Sequence, residues 1–361
     1  MGGAIESLLL LVRNIDRERF FPCVVTSAEG TFVDELQSSG VKPALIKMEM
    51  WRKARGFLSR PITFEKLLRM AESEGISLIH CNTLWDNPYG AMIARSLEIP
   101  LVCHIRNTFE RTKIRKYSLI ESDRIICVSD AIKETFRGWE NERRVSTVYN
   151  GVDLEKFDTA KIDSMEVRRE LGILQNDIVI GIVGRLAPEK GQMELIRACG
   201  ILKTAGHSFK ALIVGEPSRK EAGYTDYLRK SAEELGVADS VIFTGFRRDI
   251  ERITASFNIA VFPSLETANE GFGRGIIEAM ALGKPVIGSA TGGVPEVIEE
   301  GKTGLLTSPG DIESLAGKIE MLIKNEPLRR ELGENGNRRA HALFSVSSYV
   351  AGIEKIYSEL L

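Results

Sequence analysis

Two carboxylates bracket a glycine-rich turn in the stretch PSLETANEGFGRGIIE, residues 263–278. Glu270 lies in a loop whose backbone is freed by Gly271 and Gly273, and the run from Gly275 to Leu282 is predicted to be a helix entered from that loop. The unpaired N–H groups of a helix start attract phosphate. Glu278 falls about five residues into the helix, roughly 7 Å along its axis at about 1.5 Å per residue, which is close to the reach from a bound phosphate to the ribose of the same nucleotide. Ionised carboxylates only accept hydrogen bonds, so the pair suits a ligand rich in hydroxyls. Taken alone, the stretch also reads as a turn leading into a surface helix with one ion-paired glutamate.

A second loop of the same kind follows the apolar run IVIGIV: Gly184, Arg185, Leu186, Ala187, Pro188, Glu189, Lys190 and Gly191, then an amphipathic stretch. Pro188 suits a helix start, and Gly191 allows close approach of another chain segment. Arg185 supplies a planar fork and Lys190 a mobile point charge, both suited to phosphate oxygens. The loop lacks the Gly-Lys-Ser/Thr of a P-loop, and simple pairing of its cations with acids at a surface turn would also account for it. A third loop, TGGVPEVIEEG, residues 291–301, again follows a strand-like run and opens a helix; there Gly292 and Gly293 let backbone N–H groups approach an anion. Three such loops in one half of the chain converge on one rim if the strands are parallel neighbours.

The elements that must position these loops are legible as short β-branched runs alternating with amphipathic stretches, the pattern of parallel sheets wrapped by helices. The N-terminal half offers PCVVTS, PALIKM, SLIHCN, PLVCHI, RIICVS and VSTVYN; the C-terminal half offers DIVIGIVGR, FKALIVGE, SVIFTG, NIAVFPS, KPVIGS and TGLLTS. The turn at Asn150 and Gly151 opens a polar segment, and the domain boundary is placed there, near Phe157: an N-terminal domain of residues 1–157, onto which the last helix, about 346–361, is expected to return, and a C-terminal domain of residues 158–345. With 361 residues two domains are expected, and two doubly wound domains put their ligand sites at the carboxyl ends of the strands, facing a cleft.

Composition narrows the function. A hydrophobic fraction of 43%, a charged fraction of 27% and a net charge of -2 are ordinary for a globular protein and give no polyanion-binding surplus, so nucleic acid is not expected as a partner. The five cysteines, Cys23, Cys81, Cys103, Cys127 and Cys199, are odd in number and mostly embedded in apolar runs, as reduced core thiols of a cytoplasmic protein are. No two of the four histidines sit at metal-ligand spacing, no apolar run reaches the roughly 20 residues of a membrane span, and the N-terminus lacks a signal-peptide plan.

GRLAPEKG, the Glu270/Glu278 pair inside EGFGRGIIEAMALGKPVI, TGGVPEVIEEGKTGLL and VYNGVDLEKF together resemble the family 4 retaining, nucleotide-sugar-dependent glycosyltransferases of the GT-B fold, an α/β architecture of two Rossmann-like domains facing a central cleft. The resemblance spans the chain from Gly2 and is most specific in the C-terminal half. It implies that Arg185 and Lys190 hold the diphosphate of a UDP- or GDP-sugar, that Glu278 accepts from the ribose hydroxyls, and that Glu270, with the backbone of Gly271, Phe272 and Gly273, binds the donor sugar. His104, at the end of PLVCHI, matches the family's histidine beside the donor sugar, and Gly2 and Gly3 its phosphate-side glycine loop; a strand-end histidine bonded to backbone is the simpler account of His104. Phe246 and Arg247, in TGFRRDIE, are expected at the base. Retention of anomeric configuration is implied, by front-face attack in which the leaving phosphate takes the acceptor's proton, with closure about a hinge near Gly151.

No Asp-x-Asp occurs anywhere in the chain. The usual carboxylate clasp for a divalent metal on the diphosphate is therefore missing, transfer is expected to need no metal and no cofactor, and the cations carry the leaving-group charge. The acceptor is less legible: a glycan or a lipid-linked acceptor in cell-envelope or exopolysaccharide assembly is expected. WRKARGFLSR, from Trp51 to Arg60, and a second basic run from Arg106 to Lys116 suit an anionic membrane surface on the cytoplasmic side, or an anionic acceptor. A sugar-nucleotide epimerase of the same fold, which would need no acceptor, and a non-catalytic sugar-nucleotide sensor are the competing readings. The N-terminus departs from the family: Met1 directly precedes Gly2-Gly3, where relatives begin with an apolar strand, and Ile5 stands where a Glu often follows the glycines. The expectation is a start shortened by a misplaced initiation site or truncation, residues 4–14 as a helix with no preceding strand, and an N-terminal domain less stable than its partner.

Overall fold

The computed structural model describes residues 2–27, 29–51 and 54–361, the side chains of residues 54–57 excepted. The chain forms two compact units, one of Met1–Gly151 with Val346–Leu361 and one of Val152–Ser345. No helix among the described residues is long and apolar enough to cross a membrane.

The second unit is a six-stranded, all-parallel sheet. Its strands are β7 (Val179–Val183), β8 (Lys210–Val214), β9 (Val241–Gly245), β10 (Ile259–Phe262), β11 (Val286–Ser289) and β12 (Leu305–Thr307), in the order β12-β11-β10-β7-β8-β9. Helices cover both faces, so the strands are near-continuous apolar runs with no alternation of polar residues; in β7, β8 and β11 almost every side chain is buried. Ile180, Ile182, Ala211, Ile213, Val261 and Ile287 from the sheet meet Leu195, Ile196, Cys199 and Leu202 of the helix Gln192–Thr204 and Leu315, Ile319 and Leu322 of the helix Ile312–Lys324 in one core. The strand order reverses direction at β7 and β10, and the loops that leave the carboxyl ends of β7, β10 and β11 are the three glycine-rich loops read from the sequence.

The first unit holds its strands in two sheets. β1 (Val25–Thr26) pairs in parallel with β2 (Ala44–Leu45), and β3 (Ile79–Cys81), β4 (Leu101–Ile105), β5 (Arg124–Cys127) and β6 (Val145–Thr147) form a separate parallel sheet in that order. The first described element is helix α1, Gly3–Asn14, with no strand before it among the described residues, as expected for residues 4–14. Leu11 and Ile15 of this segment pack with Val102 of β4, Ile126 of β5 and the helix Val346–Ser358, while Leu9 and Val12 pack with Val24, Leu36 and Val41. One helix thus contributes to two cores.

Candidate functional site

The three glycine-rich loops of the second unit are locked together through their backbones. Gly191, at φ +80°, closes the loop after β7 so tightly on the loop after β10 that a Cβ there would stand 2.0 Å from the Pro263 carbonyl oxygen, and Leu265 N–H donates to the Glu189 carbonyl at 2.9 Å. Gly292, at φ +53°, does the same for the loop after β11: a Cβ would stand 1.7 Å from the Glu270 carbonyl oxygen, and the next N–H, of Gly293, donates to that oxygen at 3.2 Å. Only glycine fits such close approaches at positive φ. Gly184 N–H bonds the Val214 carbonyl at 3.0 Å, which ties the loop after β8 into the same rim.

On this scaffold the structure brings the expected residues into pairs. Lys190 Nζ lies 2.6 Å from Glu270 Oε2, both side chains mostly buried, and the Ser264 hydroxyl reaches the same carboxylate oxygen at 3.5 Å. Arg185 holds Glu189 at 2.6 Å through one terminal nitrogen and Glu221 at 3.0 Å through the other. Glu278, on the helix Arg274–Ala281, accepts from Arg274 Nε and Nη2 at 3.1 and 3.0 Å, one turn away. Gly273 is the residue before that helix and adopts φ +84°. Phe272 turns its ring inward, 2% exposed and edge-on to Phe344 at 5.4 Å, so what it presents on the loop is backbone and not ring.

Beside this rim a cavity of about 360 Å³ is lined by Leu186, Gly215, Glu216, Pro217, Phe243 and Gly245, among others. Phe246, the next residue, is 54% exposed. Arg247 is committed to carboxylates: Nε and Nη2 donate to Asp249 at 2.8 and 2.6 Å, and Nη2 also reaches Glu170 at 3.0 Å. Those carboxylates push its pKa above the ordinary arginine value. Its fork fastens this loop to the helix Ser164–Glu170, which leaves Phe246 as the exposed group of the pair.

In the first unit Gly2 is the residue before α1, and its carbonyl accepts from Ile5 and Glu6 N–H at 2.9 and 3.2 Å; Gly3 is the first residue of that helix. His104 is wholly buried, its ring 5.4 Å from that of His80 and 6.5 Å from that of Tyr349. Burial first, then the charge of Arg106 and the neighbouring His80, hold it far below the usual imidazole range, so the ring is neutral. His80, which shares a hydrogen bond with the Tyr357 hydroxyl, is lowered to about 3 by burial and Arg106.

Arg106 is the residue that sequence reasoning misplaced. Read as the start of a basic surface run, it is a hub inside the first unit: it donates to the Asn82 carbonyl and side-chain oxygens at 2.6 to 3.1 Å, to Asn150 Oδ1 at 3.0 Å, to His104 Nδ1 at 3.3 Å and to the Tyr349 hydroxyl at 3.4 Å. Ser7 of α1 donates to the same Asn150 oxygen at 3.0 Å, and Asn82 Nδ2 to the Ala4 carbonyl at 3.1 Å. Strand alternation held the signal: residues two apart share a face, so Arg106 follows His104 inward. Arg111, Arg115 and Lys116 of that run are exposed, and Arg111, Arg115, Ile120 and Trp139 line a cavity of about 350 Å³ on this unit. Of the segment from Trp51 to Arg60, residues Arg52 and Lys53 and the side chains of Arg55 and Phe57 lie outside the described residues. Trp51 is packed, with Tyr89 edge-on at 5.2 Å and the Arg60 guanidinium 4.3 Å above its ring, while Leu58 is 83% exposed.

A doubly wound parallel sheet with a glycine-locked rim at its carboxyl ends, joined to a second parallel α/β unit, is the architecture of the GT-B glycosyltransferases. The family model for glycosyl transferases group 1 matches residues 163–339 and that for glycosyltransferase family 4 residues 1–156. An uncharacterized glycosyltransferase of Methanocaldococcus jannaschii is 32% identical over 300 residues, 80% of this chain and 77% of that protein. A D-inositol 3-phosphate glycosyltransferase of Corynebacterium glutamicum is 27% identical, over 90% of this chain and 81% of its own length. Among solved structures, Anabaena HepE in complex with UDP and glucose superposes with a TM-score of 0.87 at 28% identity, covering 99% of this chain and 96% of that one. The chain belongs to the family 4, group 1 glycosyltransferases and is a glycosyltransferase of the GT-B fold.

Proposed function

We propose that this enzyme moves a hexose-type sugar from a UDP- or GDP-sugar to a glycan or lipid-linked acceptor, with retention of configuration and without a divalent metal, in cell-envelope or exopolysaccharide assembly at the cytoplasmic side of the membrane. The observation that carries the reading is the Lys190–Glu270 pair at 2.6 Å, set where the loop after β7 meets the loop after β10. A cation for phosphate and an acceptor for sugar hydroxyls stand side by side there, which is the order of groups in a sugar nucleotide. The HepE complex with UDP and glucose supports a uridine donor. In this reading Arg185 and Lys190 take the diphosphate, the Glu278 carboxylate the ribose, Glu270 with the Gly271 and Gly273 backbone the sugar, and Phe246 the base.

The chemical step follows from these roles. As the glycosidic bond breaks, charge grows on the departing phosphate oxygen, and Lys190 and Arg185 stabilise it where it appears. The leaving phosphate takes the proton of the attacking acceptor hydroxyl on the same face of the sugar. The neutral, wholly buried His104 supplies no charge to this step. Thermal-shift and calorimetric screening of UDP- and GDP-sugars against the wild type and Lys190→Ala tests the assignment. Turnover of the variant with the donor so found should fall about a hundredfold, the usual cost of one lost donor to developing charge, with the melting temperature little changed. An unchanged rate refutes the role of Lys190, and release of an epimerised free sugar in place of a transfer product refutes the transferase reading.

A further inference from the structure

The fork of Arg185 is shared by two carboxylates that reach it from different parts of the chain. Glu189 lies four residues on, in the same loop, whereas Glu221 comes from the loop after β8 and meets the other terminal nitrogen at 3.0 Å. That second loop is fixed in place by backbone: Leu186 N–H donates to the Glu216 carbonyl at 3.1 Å, and Leu186 and Pro217 form a parallel bridge. Within it a short turn, Arg219–Glu221, is capped by Ser218, whose oxygen accepts from Lys220 N–H at 3.2 Å and whose hydroxyl donates to Glu221 Oε2. The Glu221 side chain is 19% exposed. The Ser218 hydroxyl and the Arg185 guanidinium hold its carboxyl below the usual range, so it is an anion at neutral pH.

Each terminal nitrogen of Arg185 already holds a carboxylate, so a phosphate that binds the fork through both terminal nitrogens competes with Glu189 and Glu221 for it. Glu221 is the one built to yield, because its Oε2 keeps the Ser218 hydroxyl when its Oε1 lets go of Arg185. We infer that Glu221 competes with the diphosphate of the donor for Arg185, and that it thereby sets how much anionic charge a ligand must bring to the rim. The inference rests on the reading of Arg185 as a diphosphate ligand. It makes Glu221 a determinant of selectivity for phosphorylated over unphosphorylated nucleosides.

Calorimetric titration at fixed ionic strength of UDP, GDP, uridine and guanosine into the wild type, Glu221→Gln, Glu221→Ala, Asp226→Asn and the double variant Arg185→Ala/Glu221→Gln, compared with Arg185→Ala alone, tests it. Asp226, an exposed acid of the following helix, controls for the change in net charge. Glu221→Gln and Glu221→Ala should bind UDP or GDP about two- to fivefold more tightly, the effect of relieving one partly exposed ion pair, with no gain for the nucleosides, for Asp226→Asn or in the Arg185→Ala background. Equal or weaker diphosphate binding by both Glu221 variants overturns the inference, as does the same gain in Asp226→Asn or without Arg185. Failure of the wild type and every variant to bind UDP or GDP refutes the donor reading and this inference with it, an outcome distinct from a wild type that binds and variants that bind no better.

Discussion

Replacing Gly292 by alanine isolates what the glycine-locked rim does for catalysis. The added Cβ would stand 1.7 Å from the Glu270 carbonyl oxygen, whereas real Cβ contacts stay beyond 3.0 Å, so that carbonyl must retreat by about 1.3 Å. The retreat breaks the Gly293 N–H bond to the same oxygen and drags the Glu270 carboxylate away from Lys190, which it holds at 2.6 Å. Misplacement of a reacting group by about 1 Å is worth roughly a hundredfold in rate. The φ of +53° adds about 1 kcal/mol of backbone strain, and the lost hydrogen bond about 1 kcal/mol more. Gly301→Ala is the control, since Gly301 has φ +72° but nothing within 4 Å of its Cβ, so it carries the strain without the clash. Transfer rate with the cognate sugar nucleotide and the thermal midpoint of each variant are the measurements. Gly292→Ala should lose about two orders of magnitude in rate and a few degrees in midpoint, and Gly301→Ala only the degrees. A Gly292→Ala enzyme that folds and turns over within threefold of the wild type would show that the Glu270 loop does not need its position.

Arg106→Met should destabilise the first unit by about 2 kcal/mol, because it removes the donors to the Asn82 carbonyl and side-chain oxygens, while Asn150 Oδ1 keeps the Ser7 hydroxyl. Nucleotide binding by the second unit should persist, and loss of that binding together with the fold would refute the independence of the two effects. Lys284, lowered to about 8 by burial and by the nearby Arg168, donates to the Ala255 carbonyl at 2.6 Å. Between pH 8 and about 10.5 the unfolded chain binds a proton there that the folded one has released, so stability contributed by this group rises with pH, by roughly 3 kcal/mol across the window. Lys284→Met should lose that rise in urea titrations at pH 7.5 to 10.5, and parallel pH profiles for the two proteins would count against the assignment. Strong chelation of divalent ions should leave transfer intact; complete loss, restored by magnesium or manganese, would refute metal-free transfer.

What the sequence determined by itself is the set of elements and the sites of the loops. Among the described residues every strand lies within one of the apolar runs of the sequence; the central ones, such as β4, β7 and β11, are legible because a strand buried on both faces must be apolar almost continuously. The helix expected from Gly275 begins at Arg274, and the close approach expected at Gly191 is present; Gly292, expected to bring N–H groups to an anion, is held at positive φ against the Glu270 carbonyl, a contact the sequence did not show. Tertiary structure alone decided which charges meet. Lys190 and Glu270 are 80 positions apart, Arg185 and Glu221 lie on loops after different strands, and Arg247 spends its fork on Glu170 and Asp249. Local periodicity says which way a side chain points, but it carries no record of the partner brought there by another loop. Phe272 lies in the glycine-flanked loop that the sequence marks, but only packing against Phe344 decides that its ring turns inward. Arg106 stands at the head of a charged run yet lies within the hydrogen-bond network of Asn82, Asn150, His104 and Tyr349, because a partly buried guanidinium is stable only where enough fixed acceptors converge on it, and such convergence exists only once the strands and helices are assembled.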